Sequence, residues 1–453
     1  MALGGAEVWE SLLEIRIVDP AFLYAWYGLS AILVLYLIAK QWTIRWFLVA
    51  FLALFLGFLA GGALLWVAVN VLNLFGGPVD DAVWVWVPVA TAAITLAIGN
   101  LWGSRWWRKV IALVSIAVFA VTAVFAVNAS TGIDRTLGSL LHVSTADPIT
   151  PPALLDPATP VPSGPLYSWW QAPEGMPTEG RTGEVAGGIP NAASGFEARP
   201  AQLYLPPAAL VEQPPRLPLV VFMMSRPGDP DVSFLAETLD AFAAEHAGLA
   251  PIALVIDQLG EPWADPLCLD TDRGAVETYV LQDVVPWARA TLNVQAEPRF
   301  WTVGGYGNGG QCALSFGAKS PEVFGNLLDV SGEEFPGADH QQQTLEEVFG
   351  GDAVAYQMTK PSAILAAKAP YADSWAVFTV GTRDGHVEGA VERNAAAATT
   401  AGMHVLTFEV EGAGHGADAL VGGLEAGFDA LYPRLELAPP AETMAEAEPA
   451  PAA

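Results

Sequence analysis

The sequence predicts an α/β fold, a mostly parallel sheet with helices on both faces, preceded by four transmembrane helices. Long apolar runs fill the first 130 residues, and short β-rich runs alternate with helical patterns over residues 166–436. The charge is divided in the same way. The 453 residues carry 20 Lys and Arg against 48 Asp and Glu, a net charge of −28, although 53% of the residues are hydrophobic. Residues 1–130 hold six basic and six acidic residues, so the net charge lies entirely in the remainder.

This composition excludes two classes of protein. Binding to nucleic-acid phosphates requires clustered Lys and Arg, which the acidic part of the chain lacks, so we expect no nucleic-acid partner. A wholly soluble chain is excluded by the apolar runs at residues 22–39, 46–75, 83–102 and 110–127. Each run is long enough to cross a hydrocarbon core of about 30 Å as a helix.

The loops between these runs predict the orientation of the anchor, which we place at residues 22–130. Lys and Arg lie in the first and third loops, whereas the second loop contains only Asp80 and Asp81. Because cytoplasmic loops collect positive charge, both termini and the C-terminal domain are expected outside the cell membrane. Residues 1–21 form an extracytoplasmic leader that is too acidic for a signal peptide.

Two segments are expected to lack a packed core. Residues 131–165 are Pro-rich and predict an extended linker. Residues 437–453 are rich in Pro, Ala and Glu and predict a disordered acidic tail.

Between these segments, the pattern of the predicted domain is strand, then helix, repeated. The strand candidates are residues 202–205, 219–223, 252–256, 300–303, 375–380 and 404–409, and the helix candidates are residues 233–247, 275–290, 312–319, 345–349 and 387–401.

Cys268 and Cys312 are the only cysteines, and both fall in the domain expected outside the membrane. An even number of cysteines in an oxidising compartment favours a disulfide between them. The alternative is two buried free thiols.

A glycine-rich segment follows the strand candidate at residues 300–303, and it precedes a helix. Gly305, Gly307 and Gly310 have the spacing of a dinucleotide-binding turn, but such a turn is expected near the start of its domain. The nucleophile elbow G-x-S-x-G fits the position better. Its pattern is matched by Gly305-Tyr306-Gly307-Asn308-Gly309, except that glycine stands where the nucleophilic serine belongs.

Acid and base candidates follow in the order of an α/β-hydrolase triad. Asp384, with Glu388 as an alternative, comes after a late strand candidate, and His415 follows the last one. The order and placement at strand ends predict that Asp384 and His415 belong to one site.

Over about residues 201–431 the chain resembles the esterase family of the α/β-hydrolase superfamily that also contains the antigen 85-type mycolyltransferases. With four spans ahead, it resembles the actinobacterial membrane-anchored members. The matching motifs are LPLVVFMMSRPGDP, DPLCLD, GGYGNGGQCAL, SPEVFGNLLDVSGEEFPG, FGGD and GAGH.

The resemblance implies an α/β-hydrolase fold and a serine-hydrolase site without metal or cofactor. The family nucleophile falls on Gly307, the acid on Asp384 and the base on His415. The oxyanion hole falls on the backbone of Asn308 and on the loop that contains Met224 and Ser225, where relatives often carry glycine instead of Ser225.

Three functions are compatible with these residues. The first is a catalytically degenerate hydrolase that binds an envelope lipid or acyl ligand or acts as a scaffold. The second is an active esterase or acyltransferase on envelope (glyco)lipids that uses another nucleophile or a water activated by His415. The third is an accessory subunit of a membrane complex, with membrane-protein partners.

Overall fold

A computed structural model of the protein describes residues 3–72, 74, 79–155, 162–385 and 387–440. The end of the second predicted span, part of the predicted linker (residues 156–161) and most of the predicted tail (residues 441–453) lie outside the described residues. The chain divides into two compact units, Met1–Thr145 with His415–Asp418, and Ala146–Gly414 with Ala419–Ala453.

The first unit is helical. Among the described residues, four of its helices are long and apolar enough to cross a membrane, which is consistent with a membrane-anchored protein. Their buried residues include Leu37, Trp46, Leu96 and Phe119. The helices of this unit are α1 (Leu3–Leu13), α2 (Pro20–Ile38), α3 (Ile44–Asn70), α4 (Asp81–Gly99), α5 (Trp106–Thr131) and α6 (Leu137–Leu140), of which α2 to α5 are the candidate spans.

The second unit is built on one sheet of nine strands from the described chain, in the order β1-β2-β3-β5-β4-β8-β9-β10-β11. The six strands from β5 to β11 are parallel, whereas β3 is antiparallel to both of its neighbours. The strands are β1 (Pro148–Ile149), β2 (Arg181–Val185), β3 (Gln202–Leu205), β4 (Leu219–Met223), β5 (Ile252–Ile256), β8 (Trp301–Tyr306), β9 (Asn326–Val330), β10 (Trp375–Gly381) and β11 (His404–Val410); β6 (Asp270–Thr271) and β7 (Gly274–Ala275) form a separate hairpin.

The central strands read as continuous apolar runs because both faces of the sheet are covered, and every residue of β4, β5, β8 and β9 is buried. The helices of this unit are α7 (Leu166–Trp169), α8 (Ser233–Glu245), α9 (Val276–Thr278), α10 (Val285–Thr291), α11 (Asn308–Lys319), α12 (Gln341–Glu347), α13 (Ala353–Thr359), α14 (Pro361–Lys368), α15 (Glu388–Thr400) and α16 (Ala417–Arg434).

This strand order and the crossover helices are those of the α/β-hydrolase fold, so the fold class predicted from the sequence is confirmed. The six strand candidates are all present. The candidates predicted from the sequence did not include β1, β2, β6, β7, β9, α1, α6, α7, α13, α14 and α16. Two of these, α6 and β1, lie in the segment that was predicted to be an extended linker, and β1 pairs with β2 in the sheet. In β9 the polar residues Asn326 and Asp329 interrupt the apolar run, and α16 contains Gly422, Gly423 and Gly427, which lower helix propensity.

Candidate functional site

A sharp turn joins β8 to α11 at the carboxyl edge of the sheet. Gly307 lies between them with φ 58° and ψ −117°, and Asn308 begins the helix. The N–H of Gly307 donates to the carbonyl of Val330 on β9 at 2.9 Å. Glycine adopts this left-handed φ without the strain that a side chain would cause. The turn has the strand-turn-helix geometry of a nucleophile elbow, and it presents no side chain.

Gly309 brings the first turn of α11 against the end of β4. A Cβ atom added at Gly309 would overlap the carbonyl of Met223 and lie 2.7 Å from the carbonyl oxygen of Met224. Both obstacles are backbone atoms, so neither can rotate away. The spacing of glycines around Gly307 is therefore required by close packing between helix and strand.

Gln258 connects the two segments that were predicted to form the oxyanion hole. Its Nε2 donates to the carbonyl of Met224 at 2.6 Å and lies 3.4 Å from Oδ1 of Asn308. Gln258 and Asn308 are both fully buried, whereas Ser225 is half-buried. Gln258 was not predicted from the sequence, although two successive polar residues after a buried strand, here Asp257 and Gln258 after β5, are a signal that could have marked this loop.

Asp257, which precedes Gln258, fixes this loop. Its carboxylate accepts hydrogen bonds from Nε and Nη2 of Arg199 at 3.1 and 2.6 Å. It also accepts the main-chain N–H groups of Arg199, Leu259 and Gly260. Asp257 therefore holds the loop in a conformation that directs Gln258 toward Met224.

Asp384 lies after β10 and is buried, whereas Glu388 is exposed at the start of α15. Burial raises the pKa of Tyr306 well above its usual value, and the negative charge of Asp384 raises it further. Tyr306 immediately precedes Gly307. The assignment of Asp384, and not Glu388, as the acid of the site stays a prediction.

His415 is exposed and lies near the end of residues 411–416, which connect β11 to α16. Residues His415–Asp418, which include the first turn of α16, group with the helical unit. The pairing of His415 with Asp384 remains a prediction.

Asp329 is a buried carboxyl beneath the elbow that was not predicted from the sequence. Its side chain packs against Gly310 of α11 and Gly332, where an added Cβ atom would collide with it. Neither carboxyl oxygen meets hydrogen-bond geometry with any residue in the described part of the chain. Burial raises the pKa of Asp329 to about 7, and the main-chain N–H of Gly332 offsets only part of that shift. The carboxyl therefore titrates near neutral pH.

Glu333 is a second carboxyl beside the elbow. Its main-chain N–H donates to the carbonyl of Gly307 at 3.3 Å. Burial raises the pKa of its side chain, the charges of Asp339 and Asp265 raise it further, and the charge of Arg226 opposes them. Arg226 also pairs with Asp339 at 3.6 Å. Loops that follow β4, β5 and β9 thus place charged groups around Gly307, at the sheet edge where α/β proteins bind ligands.

Cys268 and Cys312 form a disulfide with a Cα–Cα distance of 5.5 Å, which confirms the predicted bond. It joins the loop that contains Asp265 to α11, one turn after Asn308. Both cysteines are fully buried.

We find no group of three or more His, Cys, Asp or Glu side chains arranged to hold a metal ion among the described residues.

Comparison with known proteins gives one curated relative and several structural neighbours of interest. No protein-family model matches the chain. An uncharacterized protein of Corynebacterium glutamicum is 35% identical over 240 residues, which cover 51% of this chain and 56% of that protein. The chain therefore spans about half the length of the curated relative it matches.

Three solved hydrolases illustrate the structural neighbours. An S-formylglutathione hydrolase from Agrobacterium tumefaciens is 14% identical with a TM-score of 0.47, covering 57% of this chain and 97% of that chain. A fluorophosphonate-binding serine hydrolase of Staphylococcus aureus is 10% identical with a TM-score of 0.44, covering 56% and 98%. A ferulic acid esterase from Anaeromyces mucronatus is 12% identical with a TM-score of 0.41, covering 58% and 94%.

Proposed function

We propose that the protein is a catalytically degenerate member of the esterase and mycolyltransferase type, held in the cell membrane with its α/β-hydrolase domain outside. In this proposal the domain binds an acyl chain or envelope lipid at the carboxyl edge of the sheet without cleaving it. The observation that carries the proposal is the glycine at the elbow, Gly307, where the geometry of a nucleophile turn is kept without a nucleophile.

The size of the loss supports this choice. Removal of a triad nucleophile costs on the order of 10⁶ in kcat, or about 8 kcal/mol of transition-state stabilisation. Two serines are candidates to replace the nucleophile, Ser315 in α11 and Ser331 directly after β9, and both residues are fully buried. Ser315 also accepts a hydrogen bond from Gln311 at 2.8 Å. Neither serine is accessible to an ester outside the protein.

One observation favours retained hydrolysis as a second candidate function. The raised pKa of Glu333, beside Gly307, is a property that general acids and bases share. In this alternative a water molecule, and not a side chain, attacks the ester. Replacement of Glu333 by Gln would then lower any turnover by the wild-type protein at least tenfold.

Restoration of the serine tests the first proposal. We expect Gly307→Ser in the full chain, purified in detergent, to react with a fluorophosphonate probe and to hydrolyse a short p-nitrophenyl ester. The wild-type protein and Gly307→Ala should do neither. Gly307→Ala is the matched control because it adds a Cβ atom at the same left-handed φ without a hydroxyl.

Labelling of the wild-type protein by the probe would contradict the proposal. Turnover by the wild-type protein without labelling, lost in Glu333→Gln, would favour the water mechanism. For binding, we expect a fluorescent dodecanoyl ester to bind the wild-type protein intact, with saturable anisotropy that an unlabelled dodecanoyl ester displaces.

A further inference from the structure

The last strand of the sheet, β11, has a long open edge. β11 pairs with β10 over seven residues, and no other strand in the described part of the chain pairs with its outer side. Four of its seven residues are exposed and three are half-buried, in contrast to the buried strands at the centre. The opposite end of the sheet is closed by β1, which is two residues long and begins with Pro148. Short edges and edge prolines prevent strand addition, and β11 has neither.

The side chains of β11 are suited to a strand with neighbours on both sides. The sequence His-Val-Leu-Thr-Phe-Glu-Val is rich in β-branched and aromatic residues. Leu406 and Phe408 lie on one face, beside Val377 and Thr379 of β10. Leu406 is 37% exposed, so an apolar row reaches the open edge.

We propose that β11 pairs antiparallel with β11 of a second copy of this chain, about a two-fold axis at Thr407. Residues 404 to 410 then oppose residues 410 to 404 of the partner copy. Leu406 lies opposite Phe408, Thr407 opposite Thr407, and Glu409 opposite Val405. Apolar and Thr–Thr pairs of this kind are favourable, and no two like charges oppose each other.

Two further features bear on the strength of the pairing. The four candidate spans confine two copies to one membrane, which raises their local concentration. Glu425 and Asp429 are exposed on α16, on the same side of the helix as Gly422. A Cβ atom added at Gly422 would contact Val410, so this side of α16 lies near β11. These acids oppose the approach of a second copy. Salt therefore strengthens this dimer, whereas it would weaken one held by ion pairs.

Cysteine crosslinking tests the proposed axis. Directly opposed antiparallel residues have Cα atoms about 4.5–5.5 Å apart, within the range that a disulfide spans. The two native cysteines are bonded to each other, so an introduced cysteine supplies the free thiol. We expect Thr407→Cys in the full chain, oxidised in membranes, to give a species of twice the chain mass, at least fivefold more than the exposed control Thr400→Cys on α15. The yield should rise with added salt.

A pair of variants tests the register and does not depend on Thr407. Leu406→Cys and Phe408→Cys, carried by two differently tagged copies in one membrane, should crosslink to each other at least fivefold more than Leu406→Cys does to itself. Equal crosslinking of Thr407→Cys and Thr400→Cys, or crosslinking of Thr407→Cys to a different protein, would overturn the proposal. Equal crosslinking yields from Leu406→Cys mixed with Phe408→Cys and from Leu406→Cys alone would also overturn the proposal.

Discussion

Two aspartates at the carboxyl edge of the same sheet have opposite surroundings. Asp257 follows β5 and accepts hydrogen bonds from the Arg199 side chain and from three main-chain N–H groups. Asp329 lies near the end of β9, and neither of its oxygens meets hydrogen-bond geometry with a described residue. At most 1% of either residue is exposed. Burial is therefore equal, and the difference lies in the partners.

Because their partners differ, Asp257 and Asp329 have different roles. A paired buried carboxylate holds a loop in place, as Asp257 does for Gln258. A buried carboxyl that is poorly compensated, as Asp329 is, costs free energy when it ionises, and sites where a local rule is broken in this way are often functional. Asp329 and Glu333 both lie beside the glycine elbow, so two carboxyls whose pKa is raised by burial lie where a ligand would be bound.

The largest expected effect comes from breaking the compensated pair. Asp257→Asn leaves the guanidinium of Arg199 partly unpaired, although it still has Asp229 as a partner. Loss of one member of a buried ion pair costs about 3–5 kcal/mol. Urea unfolding of the full chain in detergent, followed by tryptophan fluorescence, should show this loss. A loss below about 1 kcal/mol would contradict the assigned role.

Asp329→Asn should raise the free energy of unfolding, and the size of the increase should depend on pH. The pKa of Asp329 is about 7 in the folded protein against a usual value of 3.8, so the folded state retains a proton that the unfolded chain releases. The wild-type protein therefore loses stability as the pH rises from about 4 to about 7, on the order of 4 kcal/mol in total. The amide cannot ionise, so the variant should gain stability relative to the wild-type protein over that interval.

The matched control for this variant is Asp373→Asn. Asp373 pairs with Arg434 at 2.9 Å, but its side chain is 80% exposed. We expect the difference in unfolding free energy between Asp373→Asn and the wild-type protein to be small and nearly constant between pH 4 and pH 8. An equal pH dependence in both variants would refute the assignment to Asp329.

A third experiment concerns two glycines of α11, the helix that follows the elbow. Gly309→Ala places a Cβ atom against the backbone of Met223 and Met224, and overpacking of this kind costs about 1–3 kcal/mol. Gly317→Ala in the same helix meets Val303 at an ordinary 3.5 Å. It should stabilise the protein by up to about 1 kcal/mol. Thermal unfolding of the two variants should therefore shift in opposite directions.

The smallest effect is expected at the amino edge of the strands. Arg299 pairs with Glu436 and with Glu297, and its side chain is 36% exposed. Partly exposed ion pairs of this kind contribute about 1 kcal/mol or less. Arg299→Gln should therefore lower the unfolding free energy by no more than about 1 kcal/mol. A loss as large as that of Asp257→Asn would show that ion pairs at the amino and carboxyl edges of the sheet contribute equally.

Much of the sheet could be predicted from the sequence because its strands are apolar runs bounded by turn residues. The elbow was also predictable, since glycines at fixed spacing between a strand and a helix are typical of a tight turn at the sheet edge. The strand β9 is absent from the strand candidates because Asp329 interrupts its apolar run, and both oxygens of the same residue lack hydrogen-bond geometry with any described residue. The residue that breaks the apolar pattern of β9, Asp329, is therefore also the residue that draws attention to the site.

The partners of Gln258 and Glu333 could not be predicted from the sequence, although the position of Gln258 after a buried strand could have been noted. Each depends on segments far apart in the chain. Gln258 forms hydrogen bonds with Met224 and Asn308, and the charges of Arg226, Asp265 and Asp339 act on Glu333. Composition and spacing contain no information about such contacts. The order of residues in the chain predicts Asp384 as the acid of the site, and this assignment stays a prediction.

The disulfide between Cys268 and Cys312 makes the chain a reporter of its own topology. Disulfides persist outside the cytoplasm, whereas thiols are kept reduced within it. Alkylation of lysed cells with a mass-tagged maleimide, before and after reduction, would reveal which side of the membrane the α/β-hydrolase domain occupies in a living cell. A chain that gains two tags only after reduction has its domain outside, and this measurement requires no fusion protein or protease.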